Sequence, residues 1–171
     1  IKSYLITGAN KGQGLALCQR ILTEQDDTHV FLCSRNSQRG EKAKELLIKE
    51  CGDDTSKRVD VVQLDVTDED SVQNALERVQ SKLGSDGKLA GVVSNAGILW
   101  GYPLPELTEV CATGVKHVLD AFVPLVQEDG RVVVVTSGLG PLMHSYAGKE
   151  QQKALMNAKS SWEDTLAPMI N

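Results

Sequence analysis

Tyr4-Leu5-Ile6-Thr7-Gly8-Ala9-Asn10-Lys11-Gly12-Gln13-Gly14 runs straight into Leu15-Ala16-Leu17-Cys18-Gln19-Arg20-Ile21-Leu22. The apolar run ahead of Thr7 predicts a strand, the three glycines a turn, and the apolar spacing after Gly14 an amphipathic helix. A strand, glycine turn and helix in that order form a cradle for a phosphate. Gly8 permits the tight turn, and Gly12 lets backbone approach a pyrophosphate. Gly14 lets helix and strand pack closely, with the helix N-terminus aimed at the anion. The expected ligand is a dinucleotide, met by Gly8, Asn10, Lys11, Gly12, Gln13 and Gly14. A glycine-rich turn also ends many strands that hold no ligand, so the rest of the chain must discriminate.

The chain has 171 residues, of which 41% are hydrophobic and 24% charged, as expected for one globular domain with a real core. The net charge of −5 argues against a nucleic-acid surface, and lysines such as Lys42, Lys44 and Lys49 are dispersed as on a solvated helix face. No apolar run approaches a membrane span and the amino terminus opens directly in a strand, which predicts a cytoplasmic protein with no membrane partner. Cys18, Cys33, Cys51 and Cys111 form no Cys-x-x-Cys pair and read as buried reduced thiols. His29, His117 and His144 have no spaced partners, so no metal site is expected and structural or exposed roles are.

Apolar, β-branched runs recur at Tyr4–Thr7, His29–Ser34, Val59–Leu64, Leu89–Ser94 and Arg131–Thr136. Helical periodicity separates them at Gly12–Gln25, Ser37–Cys51, Asp68–Leu83 and Pro105–Leu125, and returns at Glu150–Leu166, with Thr67 or Asp68 placed to cap the third helix. This is α/β alternation. Val132-Val133-Val134-Val135 is continuously apolar, as a strand covered on both faces requires. The expectation is a doubly wound parallel sheet of Rossmann type, order 3-2-1-4-5, with ligand loops at the carboxyl ends beside the switch between strands one and four.

The second strand ends Cys33-Ser34-Arg35, where a carboxylate would accept from an adenosine ribose 2′-hydroxyl. Ser34 and Arg35 stand there instead, and a guanidinium favours a 2′-phosphate, so NADP(H) is expected over NAD(H), with Lys11 as a second cation. Both cations also fit an ordinary exposed surface.

Thr7 followed by Gly-x-x-x-Gly-x-Gly resembles the TGxxxGxG motif of the short-chain dehydrogenase/reductase family, and three later segments extend the resemblance over residues 2–140. Asp65-Val66 resembles the family's Asp-Val pair, which implies that Asp65 holds the adenine amino group and Val66 backs the ring. Ser94-Asn95-Ala96-Gly97 is similar to Asn-Asn-Ala-Gly, implying that Ala96 and Gly97 leave room for cofactor while Asn95 ties neighbouring strands. Gly130 to Gly138 resembles Gly-Arg-Val-Val-x-Val-Ser-Ser, which puts Ser137 at the catalytic serine. In the family that serine orients a carbonyl, a tyrosine donates the proton, and a lysine lowers the tyrosine pKa.

The family's Tyr-x-x-x-Lys has no match. Tyr146 and Lys149 are spaced i, i+3, a geometry that can share a helix face, and they remain a minority candidate. Ser145–Asn171 instead resembles the helical insertion of monomeric NADPH-dependent carbonyl reductases, which implies that the catalytic Tyr and Lys lie beyond Asn171, that the chain is truncated after its fifth strand, and that the whole protein is a monomer. Cys111 takes the place of the family's helix Asn. The stretch from Gly97 to Gly114 is shorter than the family's, through a deletion or through residues missing from the chain. The resemblance therefore implies NADPH-dependent reduction of a small-molecule carbonyl compound, a ketone, aldehyde or quinone. The alternative is a catalytically incomplete dinucleotide-binding or interaction protein. A P-loop hydrolase is excluded, because no Lys-Ser/Thr follows the glycines.

Overall fold

A computed structural model describes residues 1–99, 101–137 and 144–157. The chain forms two compact units, Ile1–Val135 and Thr136–Asn171.

In the first unit, strands and helices alternate as β1 (Lys2–Ile6), α1 (Gly12–Glu24), β2 (Thr28–Ser34), α2 (Ser37–Cys51), β3 (Val59–Gln63), α3 (Glu69–Leu83) and β4 (Leu89–Ser94). A helical stretch of four segments follows, α4 (Leu104–Thr108), a π-helical turn (Glu109–Thr113), α5 (Gly114–Phe122) and a 3-10 turn (Val123–Leu125), before β5 (Val126–Val134). All pairings are parallel and the order is β3-β2-β1-β4-β5, as expected. The chain crosses from β3 over β2 and β1 to β4, so the loops after β1 and β4 part on opposite sides and leave a crevice at the carboxyl ends.

Both faces of the sheet are covered over β1 to β4. Leu5, Phe31, Val62 and Val92 pack on Val72, Ala75 and Val79 of α3 and on Val118 and Phe122 of α5. On the other face Ile6, Val30, Leu32 and Val93 meet Cys18 and Leu22 of α1 and Ala43 and Leu47 of α2. Each large side chain so buried stabilises the fold by about 1.5–3 kcal/mol, which holds the strand ends, and the site on them, in register. β2 and β4 are buried at every residue, matching their unbroken apolar character.

β5 departs from expectation. It is the edge strand that the expected order makes it, but Val132, Val133 and, just past its end, Val135 are 41%, 48% and 47% exposed rather than covered on both faces. It also starts earlier than its valine run. Leu89 pairs with Val126 and Gly91 with Arg131, so Gln127 to Gly130 bulge out between the two contacts.

The thiols differ too. Cys18 and Cys33 are buried, and burial pushes the Cys18 thiol up to about 12 and raises that of Cys33, so both stay protonated. Cys51 is half-buried at the end of α2 and Cys111 is exposed in the π-helical turn, against the expectation of burial. Among the described residues no helix is long and apolar enough to cross a membrane.

In the second unit α6 covers Lys149–Leu155, and Gln152 Nε2 donates to the carbonyls of His144 and Ala147. The helix expected over Glu150–Leu166 stops at Leu155, with Met156 as its C-cap, and residues 158–166 lie outside the described residues.

Candidate functional site

The glycine turn carries the backbone that its sequence demands. Gly8 has φ +63°, and a Cβ on it would lie 2.8 Å from Ala96 Cα, so the turn is pressed against the loop after β4. Gly12 has φ +57° with open space where its Cβ would be, so backbone conformation rather than crowding selects glycine and leaves that side clear for a ligand. A Cβ on Gly14 would meet Asn95 Nδ2 at 2.6 Å and the Gly8 carbonyl at 2.8 Å, which makes Gly14 a packing residue beneath the turn.

Helix α1 begins at Gly12 with no side-chain cap from Lys11 and no acidic residue in its first turn. α2 and α3 differ: Asn36 Oδ1 accepts from Arg39 N, and Asp68 Oδ1 accepts from Asp70 N and Ser71 N. The N-terminal amides of α1 and its positive dipole end are thus left for an anion, and the residues present fit a pyrophosphate.

The turn opens on a cavity of about 540 Å³ lined by Gly8, Asn10, Lys11, Gly12, Gln13, Ser34, Arg35, Asp65, Val66, Asn95, Ala96 and Gly97. Every cofactor residue expected from sequence except Gly14 is therefore on one wall or another. The cavity also includes Asn36, Arg39, Leu64, Ile98, Tyr102 and Val110, which sequence reasoning missed. Arg39 lies in the first turn of α2, where its amide donates to the side chain of the N-cap Asn36, while Arg35 precedes the helix. Among the described residues, Lys11, Arg35 and Arg39 thus line the cavity with one carboxylate, Asp65.

Three hydrogen bonds hold Asp65 at its amide and at Oδ1. Its amide donates to Ser71 Oγ at 2.9 Å, and its Oδ1 accepts from Thr67 N at 3.1 Å and Thr67 Oγ1 at 2.8 Å. Oδ2 lies 4.0 Å from Arg35 Nε, a loose pair across which a ligand can enter, since Arg35 is 69% exposed. Ser34 is buried and its hydroxyl donates to the Asn36 carbonyl at 2.8 Å, shaping the turn that presents Arg35.

Asn95 and Thr7 lock the two diverging loops. Asn95 Nδ2 donates to Thr7 O at 2.9 Å and Gly8 O at 3.4 Å, while Thr7 Oγ1 accepts from the amides of Asn95 and Ala96, each at 2.9 Å. Asn95 does tie strands as expected. Thr7, fully buried, is its reciprocal partner and carries a role that the motif quoted above did not assign.

Ser137 is exposed just beyond β5 and belongs to the second compact unit. Tyr146 and Lys149 do not share a helix face. Tyr146 precedes α6, Gly148 between them is extended (φ −62°, ψ 152°), and Lys149 is the first residue of α6. The i, i+3 argument needs an unbroken helix, so it fails here. Cys111 sits in the π-helical turn, where its Sγ donates to the Ile98 carbonyl at 3.5 Å.

An uncapped helix start behind a glycine turn, at the switch point of a doubly wound sheet, defines a Rossmann-type dinucleotide-binding protein. The family model for short chain dehydrogenase matches residues 2–150. A short-chain dehydrogenase/reductase of Aspergillus fumigatus is 31% identical over 154 residues, covering 82% of this chain and 56% of that relative. The solved menthone neomenthol reductase of Mentha piperita superposes with a TM-score of 0.83 at 25% identity, over 99% of this chain and 71% of its own. An alcohol dehydrogenase from Thermococcus sibiricus, complexed with 5-hydroxy-NADP, gives 0.67 at 29% identity over 80% and 58%. The chain belongs to the short-chain dehydrogenase family of oxidoreductases, and it spans a little over half the length of the Aspergillus relative.

Proposed function

We propose that the cleft binds NADP(H) and that the protein reduces a carbonyl group with it. The observation that carries the cofactor is the set of cations, Lys11, Arg35 and Arg39, around a cavity with one lining carboxylate. A 2′-phosphate takes charge-assisted bonds from such groups, and a 2′-hydroxyl earns far less from them. The 5-hydroxy-NADP carried by the alcohol dehydrogenase relative supports the same choice, and the reductase relative supports the direction of reaction.

When bound, the nicotinamide supplies a hydride. The chain's own residues bind and orient. The start of α1 holds the pyrophosphate, Asp65 and Val66 hold the adenine, and Asn95 with Thr7 keeps the two loops apart at a fixed width. Ser137 orients the substrate oxygen, an assignment carried by its place in the segment after β5.

A proton donor is still needed, and among the described residues Tyr146 is not paired on one helix face with Lys149. General acids contribute about 100- to 10,000-fold. The 171-residue chain is therefore expected to bind cofactor yet oxidise NADPH only slowly with a panel of quinones, aldehydes and ketones. Brisk turnover abolished by Tyr146→Phe would assign the donor to Tyr146 and overturn that expectation.

A further inference from the structure

Helix α5 meets Val66, in the loop between β3 and α3, both with a side chain and with its backbone. His117 Nδ1 lies 3.1 Å from the Val66 carbonyl oxygen, across 51 residues of sequence. A carbonyl only accepts, so Nδ1 carries the hydrogen and donates. One turn earlier on the same face, a Cβ on Gly114 would lie 2.6 Å from Val66 Cγ2, so the valine side chain is seated directly against the helix backbone. Val66 is held at its carbonyl and its side chain by one helix.

The other anchors of this loop are local. Ser71 and Thr67 fix Asp65 from within the β3–α3 segment itself. His117 is the hydrogen-bonding anchor among these that comes from another element. Its imidazole is 19% exposed, its Nε2 lies 3.5 Å from Glu69 Oε1, and it is not among the residues lining the cavity. The helical stretch that carries it also carries Cys111, whose Sγ donates to the Ile98 carbonyl in the opposite wall. Residues 109–122 thus reach both the loop after β3 and the loop after β4.

We infer that His117 is a positioning residue for the adenine half of the cleft, its Nδ1–H fixing the Val66 carbonyl and so the direction in which Asp65 and Val66 meet the ligand. This rests on the dinucleotide reading of the cleft.

The test is calorimetric titration of 2′,5′-ADP into the 171-residue chain and its His117→Asn, His117→Gln and His117→Leu variants. An asparagine amide nitrogen stands near the Nδ1 position and can still donate to Val66, a glutamine amide overshoots toward Glu69, and leucine has no donor. The Asn variant is expected within about twofold of the parent, and the Gln and Leu variants about threefold to tenfold weaker, the span of one neutral hydrogen bond. Equal affinity of the Asn and Gln variants, at any level, overturns the inference, because packing alone does not distinguish their reach. If circular dichroism shows the Leu variant unfolded, the Asn and Gln pair decides by itself. No saturable binding by the parent chain would instead defeat the dinucleotide reading, a separate outcome.

Discussion

Asp60 receives two donors on one oxygen: Lys82 Nζ and His29 Nε2 each lie 2.9 Å from Oδ2. Burial lowers the His29 pKa, and the nearby Lys82 and Lys44 add to that, against the pull of Asp60. Burial alone raises Asp60, but the hydrogen bond from Lys82 and the charge of His29 outweigh it and the net shift is downward. Both shifts have the same consequence. Below about pH 6.5 the unfolded chain protonates its histidine before the native protein protonates His29, so stability declines as pH falls from there. Asp60 adds a second loss at lower pH, where its native carboxylate is finally protonated. Thermal melts between pH 7.5 and 5 are expected to show a falling midpoint, and His29→Gln, which keeps a donor but does not titrate, to flatten the limb below pH 6.5. An unchanged slope in that variant would contradict the assignment.

Helix ends show what was legible and what was not. α2 and α3 were readable to within a residue because Asn36 and Asp68 cap them and Gly52 and Gly84, at φ +98° and +80°, stop them. Asp68→Ala is expected to cost about 1 kcal/mol, the usual worth of an N-cap, as a lower urea midpoint with an unchanged m-value. No measurable shift would show that the first-turn acids Glu69 and Asp70 suffice. The stretch predicted as one helix over Pro105–Leu125 is four segments, since apolar periodicity carries no mark of the wider π turn at Glu109–Thr113. The early start of β5 was hidden for a similar reason: Gln127 to Gly130 are polar bulge residues inside a strand. At the site, the glycine turn and Arg35 were legible because backbone conformation or charge dictates those residue types, whereas Asp65-Val66 was legible only through the family resemblance. Arg39 and His117 were not, because each reaches the cleft or its wall only through tertiary folding.

A chain of net charge −5 gathers three cations around one cleft, so its local field opposes its overall sign and favours an anionic ligand. That contrast underlies the proposed preference for NADP(H). The measurement is a pair of titrations, NADPH and NADH, into the 171-residue chain and its Arg35→Asp variant. The parent is expected to bind NADPH about tenfold to a hundredfold more tightly, the span of a charge-assisted hydrogen bond, and the variant to lose most of that difference. Equal affinities for the two cofactors, unchanged by the substitution, would contradict it.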